Sequence, residues 1–407
     1  MPDGPIHTPL DRTLRPGTRV FFGMGQVAEG LKNFSFTFFA LFYYNQVLGL
    51  SASLTGLALG IALVVDAVTD PLMGSVSDNF DSRWGRRHPF MVGAALPLAL
   101  SFYTLFAPPP NLSTDGLFYW LTGFTLLTRL WMTVYHVPHI ALGAELTANY
   151  EERTTLVAIR QISGYFGIFA VAGIGLGHFF ADERGGRLNG AAYADFAAVM
   201  GGVMVATILA SAWFTRDQIP FLPTHRTRDA PARHPLARVV AETRAAFGNA
   251  SFRPLFVGVL LIYILVGTEG ALSLYMYEFF WALAGRDMVV LLVCYPLGLV
   301  GGAMLTTRFH RRWDKGPTLI FGTAGWAFFQ LLPVILRLLG LFPENGSPLL
   351  IASLGGLRLV QGVVVQQALA SFSSMMGDIT DEHELATGRR QEGIFFGVVA
   401  FSGKAAS

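Results

Sequence analysis

The sequence predicts an all-α membrane protein, on three observations. Only 14% of its 407 residues are charged, against about 25% in soluble proteins, while 52% are hydrophobic. The apolar residues fall in runs of about 20 or more, the length at which a helix crosses a hydrocarbon core. Lys and Arg, finally, concentrate in alternate connecting segments, as in chains that cross a bilayer repeatedly. The 29 basic and 27 acidic residues nearly cancel, so overall charge does not suggest a nucleic-acid partner. Cys294 is the sole cysteine and lies in an apolar run, which excludes a disulfide framework or a cysteine metal cluster. The polar stretch 1–17 has no apolar core of a signal peptide.

Hydropathy places spans near residues 19–50, 54–77, 89–107, 117–144, 156–181 and 193–215. The polar stretch 216–253 carries Pro220, Pro223, Pro231 and Pro235 and reads as a linker with a short amphipathic piece near 236–247. Further spans are expected near 254–283, 288–307, 317–341 and 348–376. An eleventh begins near Ile394 and reaches Ser407 too soon to cross, since a span needs about 20 residues. The expected organisation is an N-terminal six-helix half (1–215), a central cytoplasmic loop (216–253) and an incomplete C-terminal half (254–407), truncated in the eleventh helix.

Twenty of the 29 basic residues fall in one set of loops and three, Arg184, Arg187 and Arg286, in the opposite set. The basic set marks the cytoplasmic side, which places the N-terminus there. An internal repeat supports the two-half plan: Arg83-Trp84-Gly85-Arg86-Arg87-His88-Pro89 and Arg312-Trp313-Asp314-Lys315-Gly316-Pro317 stand on equivalent short turns.

The most informative segment is Asp66-Ala67-Val68-Thr69-Asp70-Pro71 in the second span. Two acids four residues apart project from one helix face. Each costs roughly 2.5 to 3.5 kcal/mol near the bilayer centre, so the pair should not face lipid. Pro71 lacks an N–H and frees the Ala67 carbonyl, which suggests a helix break beside the acids. Two carboxylates, the Thr69 hydroxyl and a carbonyl would form an oxygen cage for a small cation, or a pair sharing one proton. The alternative is an interhelical salt bridge that only locks packing.

In the first span Glu29, Lys32 and Asn33 share a face, either as a self-neutralising cluster or as substrate-facing groups, and Gly30 would let a ligand approach the backbone. In the fourth span Arg129, Thr133 and His136 share a face, and His136 can titrate near neutral pH. Arg160, Lys404 and Arg358 offer positive charge to an anionic substrate or to the empty carboxylates. Glu269 lies deep in the seventh span, and the acidic run 378–384 reads as a gate or a solvated turn. No phosphate-cradling loop, H-E-x-x-H or paired CxxC motif occurs, so the chain reads as no enzyme and as having no cofactor.

The run Asp66 to Pro71, continued by Gly74, Asp78, Ser82-Arg83-Trp84-Gly85-Arg86 and Pro89, resembles the glycoside-pentoside-hexuronide:cation symporter family. The likeness extends through Tyr43-Tyr44, Gly49-Leu50-Ser51, Pro138, Thr387-Gly388-Arg389-Arg390 and Glu392-Gly393. It implies a major facilitator fold of two six-helix halves that couples a cation to uptake of a sugar or glycoside. It implies a cation site at Asp66, Asp70, Thr69 and Thr133, and substrate contacts at Arg160 and Lys404. Gly30, His136 and Ile140 stand where the galactoside-binding positions of that family carry other residues. The substrate set is therefore expected among Glu29, Lys32, Asn33, His136, Ile140, Arg160 and Lys404. Asp78, Arg83, Arg86 and Arg87 are expected to form an inner gating network. The partners implied are Na⁺ or H⁺ as coupling ion, a small-molecule substrate and the cell (plasma or inner) membrane, with the chain a monomer. A sodium-dependent lysophospholipid transporter, suggested by His136 before Val137-Pro138, and a non-transporting sensor or receptor remain alternatives.

Overall fold

The computed structural model describes residues 14–80, 82–147, 149–222, 244 and 247–387, some of them by backbone alone, and no strand occurs among them. The helices are α1 (Pro16–Met24), α2 (Gln26–Ser35), α3 (Ala52–Asn79), α4 (His88–Phe106), α5 (Thr114–Glu145), α6 (Tyr150–Ala170), α7 (Gly190–Thr215), α8 (Phe252–Tyr275), α9 (Gly285–Arg312), α10 (Lys315–Leu338) and α11 (Pro348–Thr387). Among the described residues eight helical stretches are long and apolar enough to cross a membrane.

Polar residues start these helices by taking up backbone donors that the first turn leaves unpaired. Ser51 accepts from the Leu54 N–H of α3, Ser113 from Gly116 of α5, Asn149 from Glu152 of α6 and Asp314 from Lys315 of α10. Wider π turns continue α2 (Phe36–Ala40, then Tyr43–Val47), α6 (Val171–Phe179) and α8 (Met276–Phe280).

Three expectations are corrected here. The first span is not one helix, because groups from α5 enter its hydrogen-bond ladder at Gly25. The Tyr135 hydroxyl donates to the Gly25 carbonyl at 2.7 Å, and the His139 ring nitrogen lies 2.8 Å from the Phe22 carbonyl. A Cβ at residue 25 would collide with both side chains. Insertion of side chains into the ladder is a known cause of kinks. Conversely, α3 runs unbroken through residue 71, so the missing N–H there does not end the helix. The acidic run 378–384 is likewise neither turn nor loop but the last part of the long α11.

The chain divides into two compact units, Met1–Phe180 with Arg184–Arg238 and Ala181–Glu183 with Val239–Ser407. In the first, α5 packs on α3 and α4, α7 on α1 and α4, and α6 on α1 and α2. Phe39, Phe106, Phe180, Tyr193 and Phe196 form its buried aromatic centre. In the second, α11 is the spine against which α9 and α10 pack. Small residues permit these close crossings: a Cβ on Gly298 or Gly302 would strike the backbone of α11, and one on Gly322 would strike Ala368.

Candidate functional site

Asp66 lies near the middle of α3 and Arg129 near the middle of α5. Arg129 Nη1 donates to Asp66 Oδ2 at 2.6 Å, with both side chains almost buried. The same guanidinium sits 5.8 Å from the Phe36 ring centre, and its Nε is buried with no hydrogen-bond partner. One turn along α3, Asp70 Oδ1 accepts the Thr133 hydroxyl at 2.7 Å. The Thr69 hydroxyl turns back to the Asp66 carbonyl at 3.4 Å, a weak bond within its own helix. The acids thus lie along the α3 and α5 seam, where Asp70 and Thr133 join from two helices. Asp66 is held by a cation of the protein itself, a partner the face shared by Arg129, Thr133 and His136 only hinted at.

Beside this seam a polar string runs along α2. His136 approaches Gln26 Oε1 at 3.1 Å, Gln26 Nε2 donates to Glu29 Oε2 at 2.9 Å, and Asn33 Nδ2 donates to Glu29 Oε1. Gln26, Glu29, Asn33, Gln161 and Tyr165 line a cleft of 260 Å³ between α2 and α6. Gly30 is on its wall, yet its missing Cβ is required by packing: a side chain there would collide with the Gly164 carbonyl of α6. Lys32 is 7% exposed, with its ammonium 5.7 Å from the Phe36 ring centre, and is not on the cleft wall. Ile140 is partly exposed on α5, and Arg160 is half-buried next to Gln161 with its Nε unpartnered. Neither Ile140 nor Arg160 lines the cleft, and Lys404 lies outside the described residues.

At the far end of α5, Arg86 and Arg87 both reach Glu145 Oε1, at 2.9 and 2.6 Å, and Arg87 also donates to the Ser77 hydroxyl at 2.6 Å. The acid of this cluster is Glu145, which the sequence reading missed, although it is the acid that ends the fourth span. The side chain of Asp78 lies outside the described residues, and Arg83 is instead on the wall of a separate 910 Å³ cavity with Trp84, His88 and Trp213. In the second unit Arg358 is held by Glu269, Gln330, Gln361 and Tyr277 at 2.6 to 2.9 Å.

Residues 21–407 match the family described as MFS/sugar transport protein, and the chain belongs to that family. It is an integral membrane transporter of the major facilitator class and not an enzyme. It is 24% identical over 390 residues to the putative glycoside/cation symporter YagG of Escherichia coli (strain K12), covering 94% of this chain and 78% of that protein. It is 26% identical over 410 residues to the glucuronide carrier protein homolog of the same organism, covering 97% and 81%. The fold is similar to that of the nucleoside transporter NupG, with a TM-score of 0.66 at 14% identity, covering 96% and 89% of the two chains.

Proposed function

We propose that this chain is a symporter that couples a monovalent cation, Na⁺ in the first instance, to uptake of a glycoside or related sugar across the cell membrane with its N-terminus cytoplasmic. One observation carries the reading: acids at the α3 and α5 seam, with Thr133 on Asp70, lie beside a cleft whose wall is amide, carboxylate and phenol. Gln26, Glu29, Asn33, Gln161 and Tyr165 offer donors and acceptors at short spacing, the chemistry that sugar hydroxyls require. The relatives' names, a glycoside/cation symporter and a glucuronide carrier, support the same class. Cation binding at the seam, with Asp70 its open carboxylate, lowers the charge there, favours one conformation and raises substrate affinity by linkage.

The test is uptake in proteoliposomes over a panel of glycosides, with sodium and pH gradients imposed separately. Asp70→Asn should abolish cation-driven accumulation, and Asn33→Ala or Gln161→Ala should raise KM. Accumulation driven by a proton gradient and indifferent to sodium would replace Na⁺ by H⁺. Transport of lysolipids and of no sugar, or ligand binding without accumulation, would overturn the reading.

A further inference from the structure

A buried guanidinium on one of the two acids changes what the other can do. Among the described residues Arg129 pairs with Asp66, its Nε has no acceptor, and its guanidinium also faces the Phe36 ring. Two helices present this pair near their midpoints, and both side chains are nearly buried, so water screens it little. A cation arriving from solvent therefore meets an Asp66 already neutralised by a tethered competitor. The second carboxylate, Asp70, accepts the neutral hydroxyl of Thr133, an oxygen that an ion can also use. Lys32 approaches the same Phe36 ring from α2, so any removal of charge here is felt by a cluster of two acids and at least two bases.

We infer that Arg129 is a built-in counter-ion that occupies Asp66, so that the coupling ion binds through Asp70 and Thr133 and its affinity is set by how firmly Arg129 is held. Asp66 is on this assignment a positioning residue: it keeps a positive charge away from the ion rather than touching it. The assignment rests on the coupling-ion reading above. It makes a prediction that direct coordination by Asp66 does not, because charge can be restored without restoring the carboxylate.

Asp66→Asn releases Arg129 towards Asp70 and should weaken ion binding by roughly tenfold or more, as an unscreened charge a few ångströms away requires. Arg129→Gln removes the competitor and should tighten binding by a similar factor. Arg129→Lys keeps the charge and should stay close to the parent. The double variant Asp66→Asn with Arg129→Gln returns the cluster to its original charge and should bind the ion within about threefold of the parent.

The readout is thermal unfolding of the purified full chain titrated with NaCl, choline chloride holding the ionic strength, since an ion that binds the folded form raises its melting temperature. The same series run against pH without sodium reads a proton-coupled protein on the same variants. Recovery of ion binding in the double variant supports the assignment. A double variant as insensitive as Asp66→Asn, or an Arg129→Gln variant with unchanged ion affinity, overturns it. Should Arg129→Gln fail to fold, the double and Arg129→Lys variants still decide. Asp70→Asn separates the two levels: ion response retained there overturns the ion-site reading and this assignment with it, whereas response lost there without rescue in the double variant overturns the role of Arg129 alone.

Discussion

Each unit holds one arginine against one carboxylate inside its helices, both at 2.6 Å, and the surroundings of the two pairs differ. In the second unit Arg358 also donates to Gln330, Gln361 and the Tyr277 hydroxyl, and Gln361 is itself tied to the Trp326 carbonyl. Nothing in that network has to move for its polar groups to be satisfied. In the first unit Arg129 has Asp66 and an aromatic face, with one nitrogen left over. Buried pairs of equal length can therefore serve opposite ends: a fully bonded one fixes helix packing, and a sparsely bonded one can exchange partners.

The largest expected effect breaks the fully bonded member. Arg358→Gln leaves Glu269 buried without its cation and should cost about 3 to 5 kcal/mol, seen as a fall in the melting temperature that added salt of the coupling ion does not reverse. Arg129→Gln breaks a pair of the same kind, but there a bound cation can offset the exposed charge, so its loss should shrink as NaCl is raised. Equal losses with equal salt response in the two variants would erase the distinction between the pairs.

The next effect concerns close packing within the first unit. Gly30→Val should destabilise the α2 and α6 crossing by roughly 1 to 3 kcal/mol, because its side chain would meet the Gly164 backbone, which cannot swing aside. A variant that folds with parental stability but loses substrate binding would return Gly30 to the role of ligand approach. At the end of α5, Glu145→Gln should cost on the order of 2 kcal/mol, since it takes the charge from a nearly buried carboxylate that holds both Arg86 and Arg87. Its readout is cysteine accessibility of the cleft with and without substrate, which should shift if this cluster holds one conformation shut.

Asp66 and Asp70 could be singled out from sequence because two acids at a spacing of four inside an apolar run have no inexpensive explanation. Their partners could not, because the choice between Arg129, Arg160, Arg358 and Lys404 depends on the register of α3 against α5, which no periodicity within one helix encodes. The interruption at Gly25 was hidden for a related reason: the groups that meet it, Tyr135 and His139, stand 110 or more positions away. Hydropathy placed its expected spans close to helices of the described residues but treated the first as continuous and overestimated what residue 71 does to α3. Gln26 and Gln161 passed unnoticed since a lone glutamine in a span carries no charge to explain, yet both line the cleft.

The smallest expected effect lies at a third pair, where α6 begins. Glu152 accepts from the Leu14 N–H at 2.7 Å, from the Thr147 hydroxyl at 3.0 Å and from Arg19 at 2.8 Å. Burial acts to raise its pKa, but these donors and the Arg19 charge outweigh it and hold the carboxyl below its usual 4.5. A depressed carboxylate stabilises the folded form wherever it is ionised in both states, that is, above the unfolded value, and this contribution fades as pH falls through the lower folded value. Arg19 is about a quarter exposed, so water screens the pair as it does not screen Arg129 or Arg358. Glu152→Gln should accordingly cost no more than about 1 kcal/mol at pH 7, and the melting temperatures of parent and variant should converge only below pH 4.5. Curves that stay parallel from pH 7 to pH 3 would show that the donors act on the neutral side chain equally, and that this pair contributes geometry rather than charge.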